Sequence, residues 1–554
     1  MKARYSVPLV LLAASLALAS WEGAWSLAPT LLWRLLALYA AAAAALSAAW
    51  IWFWDFRSRR KWFSPASILC LAFFLGLQAL ALSPLRGEAS AEGSTPSLSP
   101  ESAMADRPDL VLFTVDTVRG DRWQAVSEIQ SWPLEQEAVS FAEAFSPVGL
   151  TAPSHASLWT GNYPHQHGVR NNGGRLTEVA TLAQRLAEAG YFCMAVPSMI
   201  CLDRAFGFDH GFHRFASLEP TWSAGLRRFR DFRLARAWLR CLPSGMQAVR
   251  SADRSLALAE AWWRQAGSEQ PRFLWVHLFD AHWPYQPSSQ ALQAVEALQP
   301  WPEVATPGFQ DREVHAWRVA YDAELWDLRR RLIAFQQRLR GPPGTEARNL
   351  WTVLVGDHGE GLGEHGVADH GDLLYQEQLR VPFWIHGPKV QPSAAPPPPI
   401  SLIDLFPTLA ELLDLTVPNC AGRSFAPWFR TGTMPSRPVF AETGHAHFDN
   451  CMVLAGGRKL ILHHWADAKV LAHESRPRPS SDPDPDLPWR KPWEAYDLAE
   501  DPQENRPISN LESEPWPSLR DALQRWQQQR MGRPKSGLQA WLPDERDALR
   551  ELGY

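Results

Sequence analysis

The run Thr151-Ala152-Pro153-Ser154-His155-Ala156-Ser157-Leu158-Trp159-Thr160-Gly161 places a hydroxyl where a helix is about to begin. Pro153 suits a first helical position, so Thr151 is expected beside unsatisfied backbone N–H groups and the positive end of the helix dipole. Such a field favours an alkoxide or a bound anion. An ordinary N-cap threonine fits the same placement, and the run by itself does not choose between cap and nucleophile. Asp357-His358-Gly359-Glu360 is the second signal. A carboxylate and an imidazole side by side at a strand end can both reach one divalent cation, with the glycine letting the chain turn. Asp116, at the end of a separate apolar run, supplies another carboxylate. Asp116, Asp357, His358 and the Thr151 oxygen would together make an oxygen and nitrogen site for Mn, Mg, Ca or Zn, with Thr151 as a metal-activated nucleophile. His155, His277, His282, His365 and His370 are candidates for binding a tetrahedral oxyanion or protonating a departing alcohol; each also fits a supporting role. Asp280 with His282 and His370 offers an alternative second metal site.

Such residues need strand ends to hold them. The apolar, β-branched runs at 110–115, 273–278 and 350–355 end at or near Asp116, Asp280 and Asp357. Between them lie helical patterns at 179–189, closed by Gly190, and at 313–340, closed by Gly341. This alternation predicts a mostly parallel sheet with helices on both faces and the active site at the strand C-termini.

A chain of 554 residues is too long for one ordinary core, and its net charge of -5 gives no basic face for nucleic acid. The six cysteines form no Cys-x-x-Cys pair, although Cys193 and Cys201 are close enough to bond in an oxidising compartment. Residues 5–20, 35–54 and 63–82 are apolar runs, and the last two are long enough to span a bilayer. Arg57, Arg59, Arg60 and Lys61 mark the loop between those two as cytoplasmic, which puts everything after Leu82 outside the cytoplasm. Cleavage of the first run as a signal peptide leaves that outcome unchanged. The expected organisation is a membrane region at 1–83 with about three transmembrane helices, a flexible linker at 84–107, a catalytic domain at 108–436 and a smaller C-terminal subdomain at 437–554. Residues 394–399 and 475–488 are proline-rich connectors.

Asp116-Thr117-Val118-Arg119-Gly120-Asp121, the Thr151 run and Tyr163-Pro164-His165-Gln166-His167-Gly168-Val169 closely resemble the opening motifs of the sulfatase branch of the alkaline phosphatase superfamily. The resemblance continues through Phe279-Asp280-Ala281-His282-Trp283-Pro284-Tyr285, residues 357–366, Leu379-Arg380-Val381-Pro382 and Asp404-Leu405-Phe406-Pro407-Thr408. It ends with Gly422-Arg423-Ser424, Tyr496-Asp497-Leu498 and Leu552-Gly553-Tyr554. It implies an alkaline-phosphatase-like α/β/α sandwich, one divalent cation, and cleavage of a sulfuric or phosphoric ester. By position, Asp116, Asp357 and His358 look like metal ligands, Thr151 like the nucleophile, and His282 and His370 like substrate or leaving-group contacts. His370 stands where many sulfatases place a lysine, and His155 where they place an arginine. Thr117 stands where many carry a second aspartate, so the cation loses a carboxylate. Threonine at the nucleophile position also cannot be oxidised to formylglycine. A threonine ester has no second hydroxyl to expel sulfate, so water must attack the central atom, which is easier at phosphorus.

The expected activity is thus extracytoplasmic, metal-dependent hydrolysis of a sulfated or phosphorylated small molecule, lipid or glycan through Thr151. The alternatives are transfer of phosphoethanolamine or glycerophosphate to an envelope glycan beside the bilayer, and a catalytically silent sulfatase-like protein.

Overall fold

The computed structural model describes residues 107–177, 179–218, 249–267, 270–302, 306–340, 349–388, 390, 396–417, 419–443, 450–463 and 492–530. The expected membrane runs and almost all of the linker fall outside these residues, as does the connector at 475–488. Among the described residues, no helix is long and apolar enough to cross a membrane. All of them belong to one compact unit, 99–228 with 237–554. The other unit, 1–98 with 229–236, lies outside the described residues.

The main sheet has seven strands: β1 (Asp109–Val115), β2 (Val139–Ser140), β3 (Phe192–Val196), β4 (Arg214–Phe215), β5 (Arg272–Leu278), β6 (Leu350–Gly356) and β7 (Phe383–His386). Their order across the sheet is β2-β7-β6-β1-β5-β3-β4. The three expected runs are its centre, with β1 parallel to both β5 and β6 and every side chain of β1 and β6 buried. Burial on both faces explains why these strands read as continuous apolar runs instead of alternating ones. β7 pairs antiparallel with both β6 and β2, so the sheet is mixed.

Helices cover both faces. On one, α1 (Gly120–Ile129), α3 (Ala252–Gln265) and α4 (Asp311–Arg340) pack Trp123, Leu256, Trp263, Leu325 and Leu332 against Val111, Phe113, Leu274 and Leu354. On the other, α2 (Thr151–Thr160) sets Ala152, Ala156 and Trp159 against Leu110, Leu112, Trp275 and Trp351. The three-layer α/β/α expectation matches this arrangement. Beyond the sandwich, β8 (Val439–Glu442), β9 (Cys451–Ala455), β10 (Arg458–Leu462) and β11 (Trp493–Asp497) form an antiparallel sheet carrying α5 (Trp516–Arg530). Cys193 and Cys201 are buried free thiols, so the disulfide pairing is not formed.

Candidate active site

The central strands all end at one level. Asp116 N donates to Leu278 O at 2.9 Å and Asp357 N to Val115 O at 3.1 Å, so both carboxylates leave the sheet as continuations of its parallel ladder. Asp116, Asp357 and His358 are each buried, and their ligand atoms lie within 4.8 Å of one another. Asp357 Oδ1 accepts from His358 N at 2.7 Å and from Thr117 N at 3.2 Å. Asp116 Oδ1 and Asp357 Oδ2 are buried with no hydrogen-bond partner. Two buried oxygens without partners, on carboxylates this close, are the donor chemistry a divalent cation satisfies, so the set fits the expected metal. Burial opposes ionisation of Asp116, but the His277 hydrogen bond and the charges of His358 and His282 outweigh it and hold its carboxyl well below the usual range. Burial and the negative charge of Asp116 push Asp357 far up, so without a cation the pair holds one charge.

Thr151 Oγ1 lies 3.4 Å from Asp116 Oδ2 and 3.3 Å from His358 Nε2, fully buried at the first residue of α2. The N-cap is Leu150, in an extended conformation (φ -140°, ψ 140°), so Thr151 is not the cap. Pro153 sits two residues later than expected. The first turn tolerates it there because those N–H groups have no helical acceptor; Ser154 N makes the first such bond, to Leu150 O at 3.0 Å. Gly359 is required by contact more than by a turn: a Cβ there would stand 2.0 Å from Glu377 O, against which the Asp357-to-Glu360 segment is hydrogen-bonded.

The histidines separate into groups. His282 and His370 stand edge to face at 5.2 Å, and the His370 ring is 4.5 Å from that of His358, so both border the metal set. His282 Nδ1 bonds Trp283 O at 2.6 Å, and burial lowers its pKa. Burial also disfavours charge on His370, but Glu360, whose Oε1 is 3.1 Å from its Nδ1, raises it to about 9. His155 lies on the buried face of α2 with both nitrogens engaged, Nδ1 by Thr151 O at 2.8 Å and Nε2 by Thr114 Oγ1 at 2.9 Å. Fully buried and held well below its usual pKa by burial and by His277, it supports the Thr151 backbone and has no nitrogen left for an ester. His277 is another support: Nδ1 bonds Ser198 Oγ at 2.9 Å and Nε2 faces Asp116 Oδ2 at 3.4 Å. His365 is stacked on Tyr375 and paired with Glu377, away from the set. Asp280 Oδ2 accepts from Ala252 N at 2.7 Å at the start of α3, so it does not join His282 and His370 in a second metal site.

Two polar residues carry signals that the sequence did not give. Asn172 Oδ1 accepts from Ala152 N at 2.9 Å, next to Thr151, while its Nδ2 is buried without a partner. Only the amide oxygen can accept from a backbone N–H, which fixes Nδ2 as the unused donor. Gln378 repeats the pattern, with Oε1 accepting from Gly371 N at 3.1 Å and Nε2 unpartnered. Asn172-Gly173 reads as turn chemistry in sequence, which hid the role. Thr117 adopts φ 53°, a left-handed conformation unusual for a β-branched residue. Tyr321 Oη anchors this turn, donating to Thr117 O at 2.7 Å and accepting from Arg119 N at 2.9 Å. The segment 295–302 lines a cavity of about 980 Å³ together with Val314, Arg318 and Asp322 of α4.

Carboxylates and imidazole at parallel strand ends, facing a hydroxyl at a helix N-terminus, define an ester hydrolase built on an α/β/α sandwich. The sulfatase family model matches residues 108–321 and 345–415, a little over half of the chain, and the protein belongs to that family. It is similar to a Δ4,5-hexuronate-2-O-sulfatase of Bacteroides thetaiotaomicron, 26% identical over 394 residues that cover 62% of this chain and 76% of that one. Among solved structures it resembles one in complex with its substrate D-glucosamine-2-N,6-O-disulfate, with TM-score 0.57 and 14% identity over 78% of this chain and 100% of the other. It also resembles a phosphonate monoester hydrolase of Agrobacterium radiobacter, with TM-score 0.54 and 18% identity over 77% of this chain and 96% of that one. The protein is accordingly a sulfatase-like ester hydrolase.

Proposed function

We propose that the protein hydrolyses a sulfuric or phosphoric ester carried on a glycan, outside the cytoplasm, with Thr151 as nucleophile. The observation that carries this reading is the Thr151 hydroxyl, 3.4 Å from Asp116 and 3.3 Å from His358 at the buried start of α2. Asp116, Asp357, His358 and Thr151 would hold one divalent cation. When bound, it supplies positive charge to the attacking oxygen and the ester. Thr151 Oγ1 gives up its proton along the contact to Asp116 Oδ2 and bonds to the central atom. Asn172 Nδ2 donates to a non-bridging oxygen as charge builds there. His370, ion-paired with Glu360, protonates the departing alkoxide. Water then cleaves the Thr151 ester and restores the hydroxyl.

Phosphorus is favoured as the central atom, because a threonine ester offers no second hydroxyl to expel sulfate. The glycan is suggested by the sugar substrates named for two of the similar proteins. The location outside the cytoplasm rests on the apolar runs at 35–54 and 63–82 and the cationic loop between them. Those same runs favour a second reading, transfer of a phospho-group from a lipid to an envelope glycan.

Assaying an aryl sulfate, a phosphate monoester and a phosphodiester with Mn, Ca, Mg and Zn in turn tests the hydrolase reading. Thr151→Ala should lower turnover by at least about 10³-fold while the circular dichroism spectrum stays unchanged. Retained activity removes Thr151 from the mechanism. Appearance of a labelled lipid head group on a glycan instead of in water supports transfer.

A further inference from the structure

Among the described residues only three large apolar side chains are exposed, and Trp283 at 50% is the single aromatic of the three. It directly follows His282, whose ring borders the metal set. The position is rigidly supported. Trp283 O is bound by His282 Nδ1 at 2.6 Å, and the Trp283 ring meets Tyr285 edge to face at 5.6 Å. Tyr285 in turn meets Tyr321 at 5.6 Å, the same tyrosine whose hydroxyl fixes the turn after Asp116. An indole kept out of the core, on a backbone held by His282 and with its ring linked through Tyr285 and Tyr321 to the turn after Asp116, is suited to a ligand more than to packing.

We propose that Trp283 is a specificity residue that stacks on the pyranose ring bearing the ester. A pyranose presents a face of C–H groups that matches an indole in area and polarity, while its hydroxyls stay in water. This inference rests on the glycan-ester reading above and adds to it the residue that recognises the sugar. Trp283 takes no part in bond making, so its effect belongs in substrate affinity and differs between leaving groups.

The test uses the full-length protein loaded with the cation that supports activity, and three esters of one acid: a methyl pyranoside, an ethyl and a choline ester. Trp283→Ala should lower kcat/KM for the pyranoside ester about tenfold relative to the ethyl ester, chiefly through KM, and Trp283→Tyr should recover most of the loss. Equal effects on the pyranoside and ethyl esters overturn the inference and leave the hydrolase reading standing. A loss greatest on the choline ester also overturns it, in favour of a quaternary-ammonium site. If the unaltered protein turns over none of the three, the hydrolase reading falls and this inference with it.

Discussion

Asn172 shows how a single amide can be assigned from its hydrogen bonds. Its oxygen is used by Ala152 N and its nitrogen is buried unused, so Asn172→Ala should cost about 10²-fold in kcat with little change in cation affinity. Measuring kcat alongside metal titration checks this; a parallel loss of metal makes Asn172 structural. Thr117 leads to a different outcome. Placed between Asp116 and Arg119, it replaces an expected carboxylate, so Thr117→Asp should tighten Ca binding by about tenfold or more relative to Zn, as read by competition with a chelator. At this scale the sequence was legible where residue type dictates chemistry. Asp116, Asp357, His358 and Thr151 are brought together by the fold, and His282 and His370 border them. His155 was less legible, because facing the site or lying beneath its backbone depends on helix rotation, which residue identity does not encode.

The elements holding these groups depend on close backbone approach. Gly359 has Glu377 O where a Cβ would go, so Gly359→Ala should destabilise the fold by about 3 kcal/mol or more and weaken metal binding with it. A urea midpoint equal to that of the unaltered protein would sink that account. The strands at 110–115, 273–278 and 350–355 and the long helix were legible because burial on two faces, or a sustained helical period with Gly341 after it, leaves few alternatives. The start of α2 was less so. Thr151 and Pro153 carry start signals, yet Leu150, which has no capping side chain, occupies the cap because Thr151 is already the first helical residue. The antiparallel β7 also escaped notice, since a run of four residues gives no direction.

Across the whole molecule, Glu442 joins the sandwich to the C-terminal sheet. Its buried carboxylate is within 3.0 Å of His165 Nδ1, 3.3 Å of Arg170 and 2.7 Å of Arg530. Burial opposes its ionisation, but His165, Arg530 and Arg170 outweigh it and hold the pKa near 2. Because the folded value lies below the unfolded one, the stabilisation is complete above about pH 4.5 and is lost as pH falls from there toward 2. Glu442→Gln should cost about 3 kcal/mol at neutral pH and flatten that acid limb, as followed by urea unfolding across pH. His365 acts at the other end of the scale. Burial disfavours its charge, but Glu377 outweighs it and raises the pKa to about 9, so its contribution holds below about pH 6.5 and fades as pH rises toward 9. A His365→Asn variant that keeps the alkaline decline would remove this pair as its cause. The parallel ladder that carries Asp116 and Asp357 sets a further constraint. Neighbouring strands are about 4.8 Å apart whatever their side chains, so the spacing between the backbones that carry the two carboxylates is inherited from the ladder. The sheet therefore sets how far apart the two residues start, and rotation of their side chains sets how closely their oxygens converge, within 4.8 Å of one another and of His358.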